Sequence, residues 1–475
     1  MESVGLDIHS LPGTIQVSNA LRDDSASSVP VGCRTALDDG IGITYWFGDN
    51  GHIYQRSTTG VWTDVYTDAA GSIKGSAIFD GYIYWATANK LHRKPYPGLA
   101  NWADVVHNWQ TLDLFYSSGF HQMTVSGDYL LIANSNTIAS VEKTTSTFTA
   151  SGTPDVTLSP FPVGYLIYSL RNFGDDVVVG ISYGINAHTG DWTKASLARW
   201  DLASPTWTSI KDVPDNGIQA AITIETGMIV FGGKQGNIYN YDGTNLTKIK
   251  RIKKSIGRED VAGYEDPFGG YDIYPDSVCI FNGMIYFGLS RSTIYNSSFN
   301  AGIYCLGKYD DKYPLALTMV NTVPTGVMDN VWVGAILSMG TQYICSYVSL
   351  TGITYTYKVA KSETVLKDSG YLIFSVQGDP ETTKTFMEYL VGYKTLGSAA
   401  TPLTLQYWKD FDFLEGSSPF TLTLNDYSSY HKKFVQNKIA ARALQFKLTL
   451  NAPGISSYGP IIDTLYVKWN EEGKL

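Results

Sequence analysis

The residues of this chain whose types could carry chemistry are seven histidines, four cysteines and a scatter of aspartate pairs. Among His9, His52, His92, His107, His121, His188 and His431 no two stand as HExxH or as His-x-His, the spacings that bring two imidazoles to one metal ion. His52 in GHIYQR and His92 in KLHRK occupy matching places, which points to a structural role in a repeated unit. No serine sits in a GxSxG elbow, since AAGSIKGSAIF and YSSGFH both lack that spacing. Asp175-Asp176 and Asp310-Asp311 lack the alternating oxygen ligands of a calcium loop and read as turn chemistry. Cys33, Cys279, Cys305 and Cys345 form no CxxC pair and fall in apolar strand-like runs, where a free thiol behaves as a small hydrophobe. The expectation is buried free thiols in a reducing compartment, no catalytic residue, no cofactor, no metal site and no enzymatic activity.

Charge offers more. Lys248, Lys250, Arg251, Lys253, Lys254 and Arg258 lie within LTKIKRIKKSIGR, although the chain as a whole carries a formal charge of -9 and a pI near 5.3. That acidity excludes a general polyanion-coating role, which needs clustered cations to release counterions. The local run could still meet DNA phosphates in a channel, an acidic neighbouring subunit, or solvent balanced by Glu259, Asp260, Glu265 and Asp266. It adjoins GREDVAGYEDPFGGYDIYPD, a Gly-, Pro-, Asp- and Tyr-rich stretch too long for a plain connection. Tyr264, Tyr271 and Tyr274 within it are amphipathic rings of the kind enriched at interfaces, so these tyrosines and the six cations are the candidate channel or interface contacts.

The elements that must position these groups are strands. The chain holds 33 Tyr, 19 Phe and 11 Trp in 475 residues, and only 17% of it is charged. One unit recurs: GITYWFGDNGHIYQR from Gly42, GYIYWATANKLHRK from Gly81, GDYLLIANSNTIASV from Gly127, GDDVVVGISYG from Gly174, GMIVFGGKQGNIYNYD from Gly227, GMIYFGLSRSTIY from Gly283 and GTQYICSYVSLTGITYTY from Gly340. The glycines are 39 to 57 residues apart, which brackets the length of a four-stranded propeller blade. An apolar strand precedes each glycine (GSAIF, HQMTV, IQAAITI, SVCIF, NVWVGAIL), and a Thr- or Trp-led strand follows the unit (VWTDVYT, WQTLDL, WTSIKDV, LTKIKRI). Glycine supplies φ > 0 at the first turn, and the continuous apolar second strand suits burial on both faces between neighbouring sheets.

The pattern predicts an all-β chain: an irregular six- or seven-bladed β-propeller over residues 1–370, followed by a C-terminal antiparallel β-sandwich over 371–475. The blade-like units fall near 31–70, 71–115, 120–150, 164–213, 217–254, 277–322 and 330–365, with GTIQVS near 13–18 expected to supply a closing strand. After Gly370, TFMEYLVGYKTL, TPLTLQYWKDFDF, PFTLTLND, RALQFKLTLNAP and PIIDTLYVKWN alternate with period 2 without the glycine-centred unit. The aspartate-box turn SxDxGxTW of sialidase-like propellers is missing, which argues against sugar cleavage. MESVGLDIHSLPG has neither a basic n-region nor an apolar h-region, and no apolar run approaches about 20 residues, so neither secretory export nor a membrane span is expected.

This layout resembles the virion β-propeller proteins of tailed bacteriophages, and more narrowly the tail hub or nozzle proteins of short-tailed phages. The likeness covers most of the chain and includes the closing stretch LQFKLTLNAPGISSYGPIIDTLYVKWN from Leu444 to Asn470. It implies a structural virion protein assembled in the host cytoplasm, with several copies, six if it is a nozzle, arranged about the tail axis. Its implied partners are itself, an adaptor or tube above, a tip, needle or fibres below, and genomic DNA in transit, which an acidic lumen would not hold. The alternative is a receptor-binding or fibre-anchoring tail protein that recognises host-surface glycan or protein.

Overall fold

The computed structural model describes residues 2–10, 14–25, 29, 31–96, 114–115, 119–185, 192–233, 235–252, 271–291, 301–311, 315–322, 331–351, 354–374, 377–378, 384–395, 403–409, 420–424, 432–452 and 459–471. All regular structure among them is β, and no helix is long and apolar enough to cross a membrane.

Antiparallel sheets follow one another along the chain. The first is Cys33–Asp38, Thr44–Gly48, His52–Arg56 and Trp62–Thr67; the second is Gly75–Phe79, Tyr82–Ala86 and Leu91–Pro95. The sequence-predicted fourth strand of the second sheet, WQTLDL, lies almost wholly outside the described residues. The third sheet runs Met123–Ser126, Tyr129–Asn134, Thr137–Glu142 and Phe148–Thr149, and the fourth Leu166–Phe173, Asp176–Ile185, Trp192–Trp200 and Ser209–Val213. The fifth is Ile218–Ile224, Gly227–Gly232, Asn237–Tyr241 and Leu246–Arg251, and the sixth Val278–Phe281, Met284–Arg291, Gly302–Gly307 and Ala316–Thr322. The seventh takes three strands from Val331–Met339, Gln342–Thr351 and Thr354–Leu366, and its fourth from Asn19–Asp23 near the other end of the chain. GTIQVS, expected to close the array, instead gives Ile15–Val17, which pairs with Ile461–Glu471; the strand just after it does the closing.

Packing joins these sheets in a cycle. The first strand of each packs on the first strand of the next, and the first strand of the seventh packs on that of the first sheet. Seven apolar clusters lie between consecutive sheets, the last joining Cys33, Trp46 and Tyr54 to Ala335, Ile344 and Val359 across the first and seventh. The second strands explain how. Their side chains alternate between two clusters: Leu130 and Ile132 face the second sheet while Leu131 and Ala133 face the fourth. A strand buried on both faces must be apolar along most of its length, which is what YLLIAN, DVVVGIS and TYWFG provide. Small residues allow the close approach: a Cβ on Gly75 would stand 1.8 Å from the His121 carbonyl oxygen, and one on Gly334 2.0 Å from that of Cys33.

Gly152–Thr153 and Val156–Thr157 pair by themselves, and the C-terminal strands fall in two sheets that share one apolar cluster, with Leu372, Leu405, Phe446 and Leu448 from one and Val391, Tyr393 and Ile462 from the other. The N-terminal residues, grouped by the sequence reading with residues 1–370, are woven into this unit. Glu2–Val4 pairs in parallel with the outer strand of the sixth sheet and antiparallel with Ser369–Ile373, and Leu6–Asp7 pairs with Ile15–Val17. Twenty-odd residues therefore stitch the cycle of sheets to the two-sheet unit. Ser18, fully inside this crossing, donates its N–H to the Gly5 carbonyl and its hydroxyl to the Val320 carbonyl.

Candidate functional site

Consecutive sheets are tied by a repeated bond. Ser182, Ser290 and Ser346 each stand in the second strand of one sheet, and each hydroxyl oxygen accepts the N–H of the residue opening, or nearly opening, the next sheet: Ile218, Val333 and Cys33, all at 2.9 Å. The seventh sheet thus meets the first as the fourth meets the fifth. The sequence reading missed these serines, although a lone hydroxyl interrupting an apolar second strand is a visible signal.

The seam between the seventh and first sheets carries an additional charged clasp. The buried Asp24 carboxylate accepts from Arg56 Nε at 2.6 Å and Trp62 Nε1 at 2.9 Å in the first sheet, and pairs with Lys361 Nζ at 3.3 Å in the seventh. Burial pushes this carboxyl up, but the Arg56 and Trp62 bonds and the charges of Arg56 and Lys361 outweigh it and hold the group below its usual value. Tyr347 donates its hydroxyl to Asp23 at 2.6 Å beside it.

Tyr274 lies in a segment that crosses the opening at the centre of the cycle. Just ahead of the sixth sheet, Ile273 donates its N–H to Gln219 Oε1 in the fifth sheet at 3.0 Å, and Arg171 in the fourth donates to the Pro275 carbonyl at 3.0 Å. Gln122, before the third sheet, donates to Asp276 Oδ1 at 3.0 Å, and the Asp276 carbonyl accepts from Ile336 N–H in the seventh at 2.9 Å. The Arg34 guanidinium of the first sheet sits 5.1 Å from the Tyr274 ring centre, and the Phe120 ring 5.6 Å away. Burial pushes the Tyr274 hydroxyl up to about 12 against the pull of Arg34. This ring, read from sequence as a candidate interface contact, is half-buried among groups of its own chain.

The other sequence candidates separate from it. Lys248 and Arg251 are exposed and Lys250 half-buried on the outermost strand of the fifth sheet, with Arg251 Nε donating to the Gln235 carbonyl at 3.1 Å. Tyr271 opens the short pairing of Tyr271–Asp272 with the second strand of the sixth sheet. Lys253, Lys254, Arg258 and Tyr264 lie outside the described residues.

The described histidines serve the architecture. His92 is stacked on Trp85 at 5.3 Å, and both rings engage the buried Asp68, at 3.2 Å from the imidazole and 2.7 Å from the indole N–H. His52 pairs with Asp64 at 2.6 Å on its own sheet. His121 is enclosed with its nitrogens 2.7 and 3.1 Å from the carbonyls of Ala133 and Ala88, and burial lowers its pKa despite them. His9 is lowered in the same way beside the Lys308 carbonyl. Cys279, Cys305 and Cys345 converge in the cluster between the sixth and seventh sheets, Cys33 stands in the one between the seventh and first, and all four are free. Burial raises every one of these thiols, Cys279 to about 12. Among the described residues no group of His, Cys, Asp or Glu could hold a metal ion.

No protein-family model matches the chain, and no curated protein matches it. Similar solved structures include the WD40 β-propeller domain of Doa1, with 10% identity over 73% of this chain and 97% of that one and a TM-score of 0.46. The extracellular domain of BT4673 from B. thetaiotaomicron shows 13% identity over 79% of this chain and 44% of that one, also at 0.46. The computationally designed Ika8 protein shows 10% identity over 74% and 90%, at 0.40. All three scores fall below 0.5, and the propeller-like arrangement rests on the strand order and packing described above.

Proposed function

We propose that the chain is a seven-bladed β-propeller with a C-terminal β-sandwich fixed to its rim, and that it serves as a structural component of a phage tail. In this reading it is a hub- or nozzle-type subunit, several copies of which, six in a nozzle, surround the DNA exit path and dock adaptor, tip or fibre proteins.

The observation that carries the reading is the stitching of residues 2–23 through the sixth and seventh sheets and both sheets of the C-terminal unit. A chain woven in this way gives one body without a hinge, which suits a part that bears load and transmits position. The crossing of the central opening by Asp272–Ser277 supports placing any DNA path between copies, not through the centre of one copy. A net charge of -9 suits a surface past which a polyanion slides. Protein mass spectrometry and electron cryomicroscopy of purified particles test the reading: the chain should be found as a ring of copies on the tail axis. Particles without the chain would overturn it.

One observation favours the receptor-binding alternative. Trp207, Phe161, Tyr165 and Tyr183 stack in series, with ring centres 4.2, 6.0 and 4.2 Å apart, and Val163 beside them is 98% exposed. Phe161 is buried, but Tyr165, Tyr183 and Trp207 stay partly exposed, and aromatic rings at a surface are the kind of group that sugar rings stack against. Binding of the purified chain to host cells, competed by isolated surface glycan, would move the assignment to this reading.

A further inference from the structure

Two charge patterns that the fold separates are complementary. The outermost strand of the fifth sheet, Leu246–Arg251, ends its sheet with no further strand among the described residues, and it carries Lys248, Lys250 and Arg251. Lys211, on the outer strand of the fourth sheet, reaches the Thr244 carbonyl in the turn that leads into this strand, so it adds a fourth cation to the same edge. The outer strands of the first and third sheets, WTDVYT and FT, carry no lysine or arginine. Opposite in sign are the turns joining the first and second strands of each sheet. Because the first strands run side by side in the same sense, these turns gather round one end of the central opening. The first five present exposed carboxylates, Asp38, Asp80, Asp128, Asp175 and Glu225. The sixth and seventh, nearest the C-terminal unit, present Asn282-Gly283 and Gly340-Thr341 instead.

We propose that the outer edge of the fifth sheet docks against the carboxylate-bearing turns of a second copy of this chain. The inference rests on the proposed assembly of several copies and names the surfaces that build it. Both patches belong to one chain and differ from each other, so the contact is heterologous, the type that generates rings when its rotation closes. Strand Leu246–Arg251 also has a row of backbone groups beyond which no strand is described, and lysines on such a strand have a simpler use, blocking edge-to-edge aggregation. The two roles differ in one respect. Glutamate blocks an edge as well as lysine does, but it cannot dock on carboxylates.

Sedimentation velocity of the full-length chain at low and high salt, with circular dichroism to confirm folding, separates them. Wild-type self-association should weaken as salt rises. The variant K248E/K250E/R251E should lose about tenfold or more in association, D80K/D128K/D175K a similar amount, and the combination should regain most of the loss. K248A/K250A/R251A should fall between wild type and the glutamate variant. A glutamate variant that associates like wild type, a combination that regains nothing, or a wild-type chain that stays monomeric would overturn the docking. If particles contain the chain as a ring while the charge swaps change nothing, the docking fails and the tail role stands. If the swaps behave as expected but particles lack the chain, the reverse holds.

Discussion

The fifth and seventh sheets have the same four-stranded form and opposite origins. Ile218 to Arg251 supplies the fifth in one continuous run, so each strand is delivered beside its partner by a short turn. The seventh waits for both ends of the chain: Thr354–Leu366 pairs with Asn19–Asp23 across more than three hundred residues. The same serine bond opens both seams, at Ile218 and at Cys33. What differs is the carboxylate beside it. Asp215, at the fourth-to-fifth seam, accepts from Asn237 Nδ2 at 2.8 Å and its own neighbour Asn216 N–H at 2.7 Å, and has no ion pair among the described residues. Asp24, at the closing seam, binds Arg56 and Lys361 from the two sheets it joins. Where chain connectivity no longer holds strands together, ionic contacts take over.

Removing residues 1–24 should produce the largest effect that this comparison allows. The seventh sheet loses its outer strand and the C-terminal unit loses three, so the truncated chain should give no sharp unfolding transition in calorimetry, where the full chain should give one. A truncated chain that still unfolds cooperatively near the wild-type temperature would break the comparison.

Asp24→Ala comes next. It leaves the enclosed Arg56 guanidinium without its carboxylate and should cost about 3 kcal/mol in urea unfolding. Asp215→Asn should cost under about 1 kcal/mol, since no cation is stranded. Acid should separate the pair by sign. Asp24 is held below the usual 3.8, so its contribution is complete above that value and disappears as pH falls through its own lower pKa. Asp215 is pushed above 3.8 by burial, against its hydrogen bonds, so its contribution is fullest below 3.8 and shrinks as pH rises through its higher pKa. Urea midpoints of wild type and the two variants between about pH 3 and 6 check both directions.

Ser346→Ala and Ser182→Ala should be equal, each leaving one buried N–H unpaired at about 1–2 kcal/mol. A cost at Ser346 well under that at Ser182 would mean that the closing seam forms more loosely. The smallest effect concerns Cys33, buried against the seventh sheet, and Cys305, in the next cluster. Both thiols are raised by burial, so a thiol reagent should label both only at the rate of global unfolding. Faster labelling of Cys33 alone would reveal local opening of the closing seam.

Much of the fold was legible in the sequence because its signals are local. The seven glycines of the repeated unit, from Gly42 to Gly340, all adopt positive φ, and the apolar second strands are buried on both faces as their unbroken hydrophobicity requires. The closing strand was not legible. NALRD shows one buried residue, Leu21, among polar ones, while the more apolar IQV nearby looks the better strand and belongs to another sheet. Tyr274 was equally hidden, since its place at the centre depends on Arg34, Phe120, Arg171 and Ile336, four residues brought together only by the completed cycle. The basic run read as one patch, but only its strand portion, Lys248, Lys250 and Arg251, falls among the described residues, and it lies on an outer edge well away from that centre.

Electron cryomicroscopy of the purified chain tests closure most directly. Density should show seven sheets in an unbroken circuit, residues 19–23 lying beside 354–366, and the two-sheet unit attached at the sixth and seventh. An arc with a gap between the first and last sheets, or a three-stranded last sheet with the N-terminal segment elsewhere, would contradict it.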